Sequence, residues 1–248
     1  MPERSIASAT AASSRRATRR RRGRAALALA LAATLFVAAA VQAQTRPARG
    51  ASGANARTAA SATAATAVAK AAATEYAQRF AAVCAACHGA NGRSDQPGTP
   101  VLAGQHSFYA ITQLFLFREG RRSNPAMTAV AKGFSDADLR GFSDHIGTLP
   151  PVPPAPASAP DAARMKQGQA LAQQHKCVFC HGADLAGGQQ VPRIGGQREE
   201  YLREALQGFK SGQRVGYTQA MGEAVSQIPP PDLDVLAYYA AHVPVAGR

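Results

Sequence analysis

Two six-residue stretches, CAACHG at residues 84–89 and CVFCHG at residues 177–182, constrain this 248-residue chain more than any other feature. Each stretch has two cysteines three positions apart and a histidine directly after the second cysteine. Together the two stretches use all four cysteines of the chain. A pattern that occurs twice and takes up every cysteine indicates one chemical role for both copies.

Four kinds of site use paired cysteines in this way. Structural disulfides suit an exported chain with an even number of cysteines, but they give the two histidines no role. A zinc site built from all four thiolates would have to bridge the two copies, and it also leaves the histidines aside. A thioredoxin-like redox pair requires a βαβ setting that the sequence does not indicate.

Covalent haem attachment is the interpretation in which every one of these residues has a role. In the C-x-x-C-H pattern two thioethers hold one porphyrin, and the histidine coordinates its iron. Cysteines at positions i and i+3 lie on one side of a helix, so both thiols reach the same macrocycle. The sequence therefore predicts two haem c groups. The predicted attachment residues are Cys84, Cys87, Cys177 and Cys180, and the predicted histidine ligands are His88 and His181.

The spacing of other residues shows that the two motifs belong to repeated segments. Several residues recur 92 positions later, and the offset drifts only by a residue or two across the segment. Such constancy indicates a duplication. The recurring pairs are Pro100 and Pro192, Gln105 and Gln197, Tyr109 and Tyr201, Gly120 and Gly212, and Arg122 and Arg214.

The sixth position of each iron requires a ligand or a vacancy. Met127 and Met221 follow the histidine of their repeat by 39 and 40 residues, and each is expected in the loop before the third helix. These matched positions predict the two methionines as axial ligands. Met165 is expected to fill a helical core face. The remaining histidines lack histidine counterparts and are expected to be polar residues at the surface or at helix ends; they are His106, His145, His175 and His242.

The hydrophobic pattern of each repeat predicts three helices and no strand ladder, which makes the fold all-α. In the first repeat we expect a helix capped by Thr74, a second helix ending near Gly120, and a third that begins with a capping box at Ser135 and Asp138. In the second repeat, Pro230 is expected near the start of the third helix.

The N-terminal residues and the charge define the remaining organisation. An arginine-rich stretch, an apolar run and a small-x-small ending predict a signal peptide over residues 1–43, with an uncleaved membrane anchor as the alternative. Residues 44–73 are predicted to be a disordered tether, with an alanine-rich helix near residues 67–73 as the alternative, and the proline-rich residues 150–160 are predicted to be a linker. The repeats then occupy residues 74–149 and 161–248.

The formal net charge of +13 lies mostly outside the repeats. From residue 74 onward there are 16 basic and 14 acidic residues, so the expected folded part is nearly balanced. The composition therefore gives no reason to predict a nucleic-acid partner.

The duplicated motif, the PVLAGQ and PRIGGQ steps at residues 100–105 and 192–197, the Gly-x-Arg steps and the matched methionines resemble the diheme cytochrome c4 family of class I cytochromes c. The resemblance implies two tandem cytochrome c domains about a pseudo-twofold axis. It also implies that the carbonyl groups of Pro100 and Pro192 accept hydrogen bonds from the haem histidines. The chain departs from the family at residues 229–231, which read PPP, and in its long predicted tether.

The resemblance also sets the functional expectation, which is periplasmic one-electron transfer by an electron carrier rather than an enzyme, with a terminal oxidase as acceptor. The alternatives are an electron-acceptor subunit of a periplasmic dehydrogenase or quinol-oxidising complex and, less favoured, a diheme peroxidase. Membrane association through an uncleaved N-terminus stays open. Arg122 and Arg214 are predicted either to pair with haem propionates or to be ordinary solvated arginines.

Overall fold

The structure, a computed structural model, describes residues 51–152, 159–214, 216 and 218–244, with residues 51–60 described by their backbone alone. The predicted signal peptide and the central part of the predicted linker lie outside the described residues. In the described part, all regular elements are helices, and one isolated bridge joins Gly188 to Val191. The predicted all-α class is confirmed.

Each repeat contributes five helices to the described part of the chain. The first repeat contains α1 (Ala51–Val83), α2 (Ala85–His88), α3 (Ser107–Arg118), α4 (Pro125–Ala131) and α5 (Asp136–Thr148). The second contains α6 (Ala162–Gln174), α7 (Cys177–His181), α8 (Glu199–Ser211), α9 (Ala220–Ser226) and α10 (Pro230–His242). The three helices expected in each repeat are present, and each repeat adds two short helices that the hydrophobic pattern did not predict.

The N-terminal part of α1 differs from the expectation. Residues 51–73, predicted as part of a disordered tether, continue the helix, and Thr74 does not cap it because its hydroxyl donates to the carbonyl of Lys70 within the helix. The segment is rich in alanine, which has the highest intrinsic helix propensity of all residues. Residues 61–75 are nevertheless exposed, so this part of α1 adds nothing to the core.

The last helix of each repeat, α5 or α10, is the third of the predicted helices. It begins in the way that the sequence predicts, although the two beginnings differ chemically. In α5 the Ser135 hydroxyl accepts a hydrogen bond from the Asp138 N–H, and the Asp138 carboxylate accepts one from the Ser135 N–H, which forms a capping box. Asp138 also pairs with Arg79 of α1, which links the first and third helices. In α10 the first helical residue is Pro230, whose missing N–H costs nothing at that position.

The helices that open and close each repeat, α1 with α5 and α6 with α10, cross closely because a glycine on one helix faces a tyrosine on the other. In the first repeat the glycine is Gly141 of α5 and the tyrosine is Tyr76 of α1. In the second repeat the roles are exchanged, with Gly168 on α6 and Tyr239 on α10. A Cβ atom at either glycine would overlap the tyrosine, so the close crossing requires glycine at both positions.

The buried side chains form different patterns in the two repeats. In the first repeat, the described residues form two small clusters, one with Phe80, Ala110 and Ile146 and another with Leu114, Leu139 and Phe142. The described residues of the second repeat form one larger cluster, which extends from Ala172 on α6 to Val243 after α10 and includes Leu202 of α8. Cys84 and Cys177 pack against the clusters of their own repeats.

Candidate functional site

Each C-x-x-C-H motif folds as one short helical turn. Residues 85–88 form α2, residues 177–181 form α7, and a glycine with positive φ follows each turn, Gly89 at 77° and Gly182 at 80°. Glycine suits these positions because a side chain is strained at positive φ. The turn ends directly after the histidine, so the chain leaves the motif at the same point in both repeats.

The two cysteines of each motif have different surroundings. Cys84 and Cys177 are partly buried, whereas Cys87 and Cys180 are exposed, and all four are free thiols. Burial raises the pKa of the Cys84 thiol to about 11 and raises that of Cys177 as well. Within the described residues, no three side chains of the His, Cys, Asp and Glu types lie close enough to hold a metal ion together. The geometry therefore does not support a zinc site built from the four cysteines.

Both predicted histidine ligands are buried, with 6% of His88 and 5% of His181 exposed. The Nδ1 atom of His88 lies 2.9 Å from the carbonyl oxygen of Pro100, and that of His181 lies 3.0 Å from the carbonyl oxygen of Pro192. A carbonyl only accepts, so Nδ1 must donate and Nε2 is left with its lone pair. Burial lowers the pKa of both histidines, although the carbonyl hydrogen bond acts in the opposite direction. The neutral ring is the form that coordinates a metal.

Backbone hydrogen bonds hold the loop that carries each proline. In the first repeat the N–H groups of Leu102 and Ala103 donate to the carbonyl of Gly92. In the second repeat the N–H groups of Ile194 and Gly195 donate to the carbonyl of Leu185. The proline carbonyl is therefore fixed by its own loop before any ligand binds.

The two predicted methionine ligands lie in short helices rather than in the loops that the sequence suggested. Met127 is in α4, where its N–H donates to the side chain of the N-cap residue Asn124, and Met221 is in α9. Pro125 at the first helical position favours this extra turn. Each methionine packs against the same apolar cluster as the first cysteine of its repeat, Met127 with Cys84 and Met221 with Cys177.

The other candidate ligands lie elsewhere. Met165 packs into the core cluster of the second repeat, as expected from its helical position. The ring of His145 packs at a tilt against Phe80, and that of His242 packs at a tilt against Tyr238 and contacts its carbonyl. His106 is partly exposed and lies at the N-cap of α3, as expected of a helix end, and its Nε2 lies 2.9 Å from the carbonyl oxygen of Ala186 in the other repeat.

The contact between the repeats is built from bonds that occur in related pairs. His106 contacts the carbonyl of Ala186, and the residue 92 positions later, Arg198, donates to the carbonyl of Ser94. Gln105 and Gln197 likewise each bond to the backbone of the other repeat. An interface in which i contacts j and the equivalent of j contacts the equivalent of i has twofold character.

The same relation holds for a group of arginines and tyrosines between the repeats, in which Arg122 is buried and the other members are partly buried. Arg122 donates to the hydroxyl of Tyr201 at 3.0 Å, and Arg214 donates to the hydroxyls of Tyr109 and Tyr201. Burial raises the pKa of Tyr109; burial would also raise that of Tyr201, but the two guanidinium groups outweigh it and lower the pKa. Arg122 is buried and Arg214 is partly buried, and both bond to tyrosine hydroxyls, so the alternative of ordinary solvated arginines is wrong for Arg122 and fits Arg214 poorly.

This group has an excess of positive charge. None of the ion pairs in the described part of the chain involves Arg122 or Arg214, and their hydrogen-bond partners are tyrosine hydroxyls and the amide oxygen of Gln113. A buried cation is normally balanced by an anion. A bound group that carries carboxylates, such as haem with its propionates, fits this charge. The free thiols and the neutral, oriented imidazoles fit haem attachment as well.

Comparisons with known proteins give a consistent result. The profile of the cytochrome c family matches residues 73–149 and 165–238. Cytochrome c4 of Pseudomonas aeruginosa is 31% identical over 176 residues, which are 65% of this chain and 84% of the relative. The thiosulfate dehydrogenase electron acceptor of Thiomonas intermedia is 34% identical over 145 residues, 55% of this chain and 66% of the relative. The crystal structure of reduced recombinant cytochrome c4 from Pseudomonas stutzeri superposes with a TM-score of 0.63 at 27% identity, covering 69% of this chain and 98% of that one.

Proposed function

Because this chain belongs to the cytochrome c family, and within it to the cytochrome c4 family, we propose that it is a periplasmic electron carrier with two covalently bound haem c groups. The observation that carries the proposal is the matched pair of buried histidines. Each histidine directly follows a C-x-x-C motif and donates through Nδ1 to a proline carbonyl, which leaves Nε2 available for iron.

The attachment residues and ligands follow from this arrangement. Cys84 and Cys87 would hold the first haem and Cys177 and Cys180 the second, and His88 and His181 would each coordinate one iron. Met127 and Met221 are proposed as the second protein ligand of each iron, supported by their matched positions and by their contact with the cluster that also receives the first cysteine. Residues 74–149 and 161–248 are the two proposed domains.

The protein residues tune and protect the redox group. Haem iron supplies one-electron exchange between the ferric and ferrous states. The proline carbonyls fix the histidine rings and keep Nε2 basic. The thioether sulfur of methionine favours the ferrous state and so raises the reduction potential. Arg122 and Arg214 are proposed to balance propionate charge between the repeats, where the hydroxyl of Tyr201 orients both guanidinium groups and that of Tyr109 also orients Arg214.

A direct test is maturation of the protein in a host that attaches haem c. We expect the intact mass to correspond to the chain plus two haems, and the pyridine haemochrome spectrum to report two thioether-linked haems per chain. The same mass would show whether residues 1–43 are removed. Protein with four alkylatable thiols and no visible absorbance would contradict the proposal.

A second function, electron acceptance from a dehydrogenase, is favoured by the likeness to the thiosulfate dehydrogenase electron acceptor. The two roles differ in the physiological donor rather than in the haem sites. Rapid reduction of the oxidised protein by thiosulfate dehydrogenase and thiosulfate would favour this role. Rapid oxidation of the reduced protein by a terminal oxidase, without reduction by the dehydrogenase, would favour the free carrier.

A peroxidase would need an open or exchangeable position on one iron. The matched methionines argue against such a position. Appreciable peroxide turnover by the purified protein, with one iron lacking methionine, would overturn this ranking.

In the described part of the chain, none of the helices is long and apolar enough to cross a bilayer.

A further inference from the structure

The two interface glutamines bond to one particular peptide group in the opposite repeat. The Oε1 atom of Gln197 accepts a hydrogen bond from the N–H of Val101 at 2.6 Å, and its Nε2 donates to the Val101 carbonyl at 3.0 Å. The Oε1 atom of Gln105 accepts from the N–H of Arg193 at 2.9 Å, and its Nε2 donates to the Arg193 carbonyl at 3.1 Å. Both glutamines are buried, with 5% and 7% exposed, so solvent competes little with these bonds.

The N–H groups of Val101 and Arg193 belong to the peptide units whose carbonyls orient the histidines. The carbonyl of Pro100 and the N–H of Val101 are two ends of one peptide plane, and the same holds for Pro192 and Arg193. A continuous chain of hydrogen bonds therefore leads from His88 Nδ1 through the Pro100 carbonyl and the Val101 N–H to Gln197 of the other repeat. The equivalent chain leads from His181 to Gln105.

We propose that Gln105 and Gln197 are positioning residues that act across the repeat interface, each adjusting the reduction potential of the haem bound to the opposite repeat. The proposal rests on the haem ligation given under Proposed function. An acceptor at the N–H of a peptide polarises that peptide, which makes its carbonyl a better acceptor. A stronger bond to Nδ1–H makes the histidine a more basic ligand, which stabilises the ferric state and lowers the potential.

The two chains of hydrogen bonds have the same geometry, but only the second-repeat peptide has an additional bond across the interface. The side chain of Arg193 also donates through Nε to the carbonyl of Gly104, which ties the second-repeat peptide to the first repeat again. Val101 has an apolar side chain that offers no such donor. We therefore expect loss of Gln197, which acts on the first-repeat haem, to have the larger effect of the two.

The test is potentiometry of the diheme protein with single substitutions, Gln105→Met and Gln197→Met, which keep the length of the side chain and remove its amide. Gln197→Met is expected to raise the reduction equilibrium constant of the first-repeat haem by up to about tenfold. For one electron this is a rise of about 59 mV in its reduction potential. Gln105→Met is expected to raise that of the second-repeat haem. NMR assigns each haem through contacts with its own repeat, and the Nδ1–H of the opposite histidine should exchange faster with solvent.

A matched control separates this effect from a loosened interface. His106→Phe removes another contact across the interface, to the carbonyl of Ala186, which does not belong to a proline peptide. It should lower the free energy of unfolding without raising either potential. Should a methionine variant fail to fold, Gln105→Glu and Gln197→Glu retain the acceptor oxygen, so the histidine Nδ1–H should stay protected from exchange.

Three results would overturn the proposal: a larger shift in the haem of the substituted glutamine's own repeat, equal shifts in both haems, or unchanged potentials in a protein with two haems. Unprotected histidine Nδ1–H in the glutamate variants would also overturn it. Failure of the unsubstituted protein to carry two haems is a separate outcome, because it would contradict the proposed function itself.

Discussion

The first repeat closes its interior with two small clusters of buried side chains, whereas the described residues of the second form one larger cluster. The contacts between the repeats, by contrast, are equivalent in the two halves, because Gln105 and Gln197 form matching bonds to the other repeat. The two repeats have thus diverged in their internal packing, whereas the contacts between them have stayed equivalent. We infer that the interface and the histidine environment, rather than the helix packing, are what the two halves need in common.

The largest effect is expected from substitutions that each remove the histidine ligand of one haem site. His88→Ala or His181→Ala should remove about half of the low-spin haem absorbance, because each repeat holds one of two haems. His88→Ala should destabilise its repeat more, since the divided core of the first repeat has fewer contacts of its own to rely on. The visible spectrum and unfolding by guanidinium measure the two effects. An unchanged spectrum in either variant would contradict the assignment of the ligands.

Exchange of the proposed sulfur ligand addresses the independence of the two sites. Met127→His should lower one reduction potential by on the order of 100 mV, within the range of about 0.8 V that axial ligands set. Met221→His should lower the other potential in the same way, and spectropotentiometry resolves the two. Met165→Leu is the control, because Met165 packs in the core and should leave both potentials in place. Equal shifts of both potentials from one substitution would argue against two separate sites.

Substitution of the crossing glycines tests whether the exchanged Gly/Tyr contacts are equivalent. Gly141→Ala and Gly168→Ala should each cost about 1–3 kcal/mol of unfolding free energy, because the added methyl group overlaps Tyr76 or Tyr239. The better helix propensity of alanine offsets only part of this cost. Thermal or denaturant unfolding measures it. Gly133→Ala is the matched control, since no atom lies near its Cβ position; a similar loss there would sink the explanation.

The smallest effect concerns acid and the beginning of the third helix. Burial alone would raise the pKa of Asp138, but hydrogen bonds from Ser135 and the guanidinium of Arg79 lower it to about 2. A depressed pKa in the folded state stabilises the fold above the unfolded value, near 4, and this stabilisation is lost as pH falls from about 4 to about 2. We expect it to be about 1 kcal/mol after solvent screening.

The pH dependence of unfolding checks this difference between the repeats. Asp138→Asn should flatten the dependence between pH 4 and 2, because the variant has no carboxylate to protonate at this position. Asp232→Asn is the matched control in the first turn of α10, where no side chain caps the helix. A flattened profile for Asp232→Asn and an unchanged one for Asp138→Asn would reverse the comparison.

The sequence predicted those features that depend on neighbouring residues. The Ser135 and Asp138 capping box, the start of α10 at Pro230 and the turn that carries each C-x-x-C-H motif are all local, so their residue types suffice to indicate them. The proline carbonyls that bind the histidines also lie where the family resemblance implied. The repeated spacing then predicted two equivalent sites.

Features that depend on distant contacts or on weak propensities were not predictable in this way. Gln105 and Arg193 are 88 positions apart in sequence, and nothing local marks them as partners. The helix over residues 51–73 lacks large apolar side chains, so its composition indicated a tether, whereas alanine propensity alone favours helix. The short helices that carry Met127 and Met221 span only two turns each, too few for a hydrophobic period to be recognised.

The paired bonds of the interface have a consequence for the origin of the chain. At three pairs of interface positions the two repeats carry the same residue: Gln105 and Gln197, Tyr109 and Tyr201, and Arg122 and Arg214. Two copies of a shorter ancestor with one haem could form these bonds as a homodimer. Gene fusion would then have preserved an existing assembly, and only afterwards left each half free to evolve its own core.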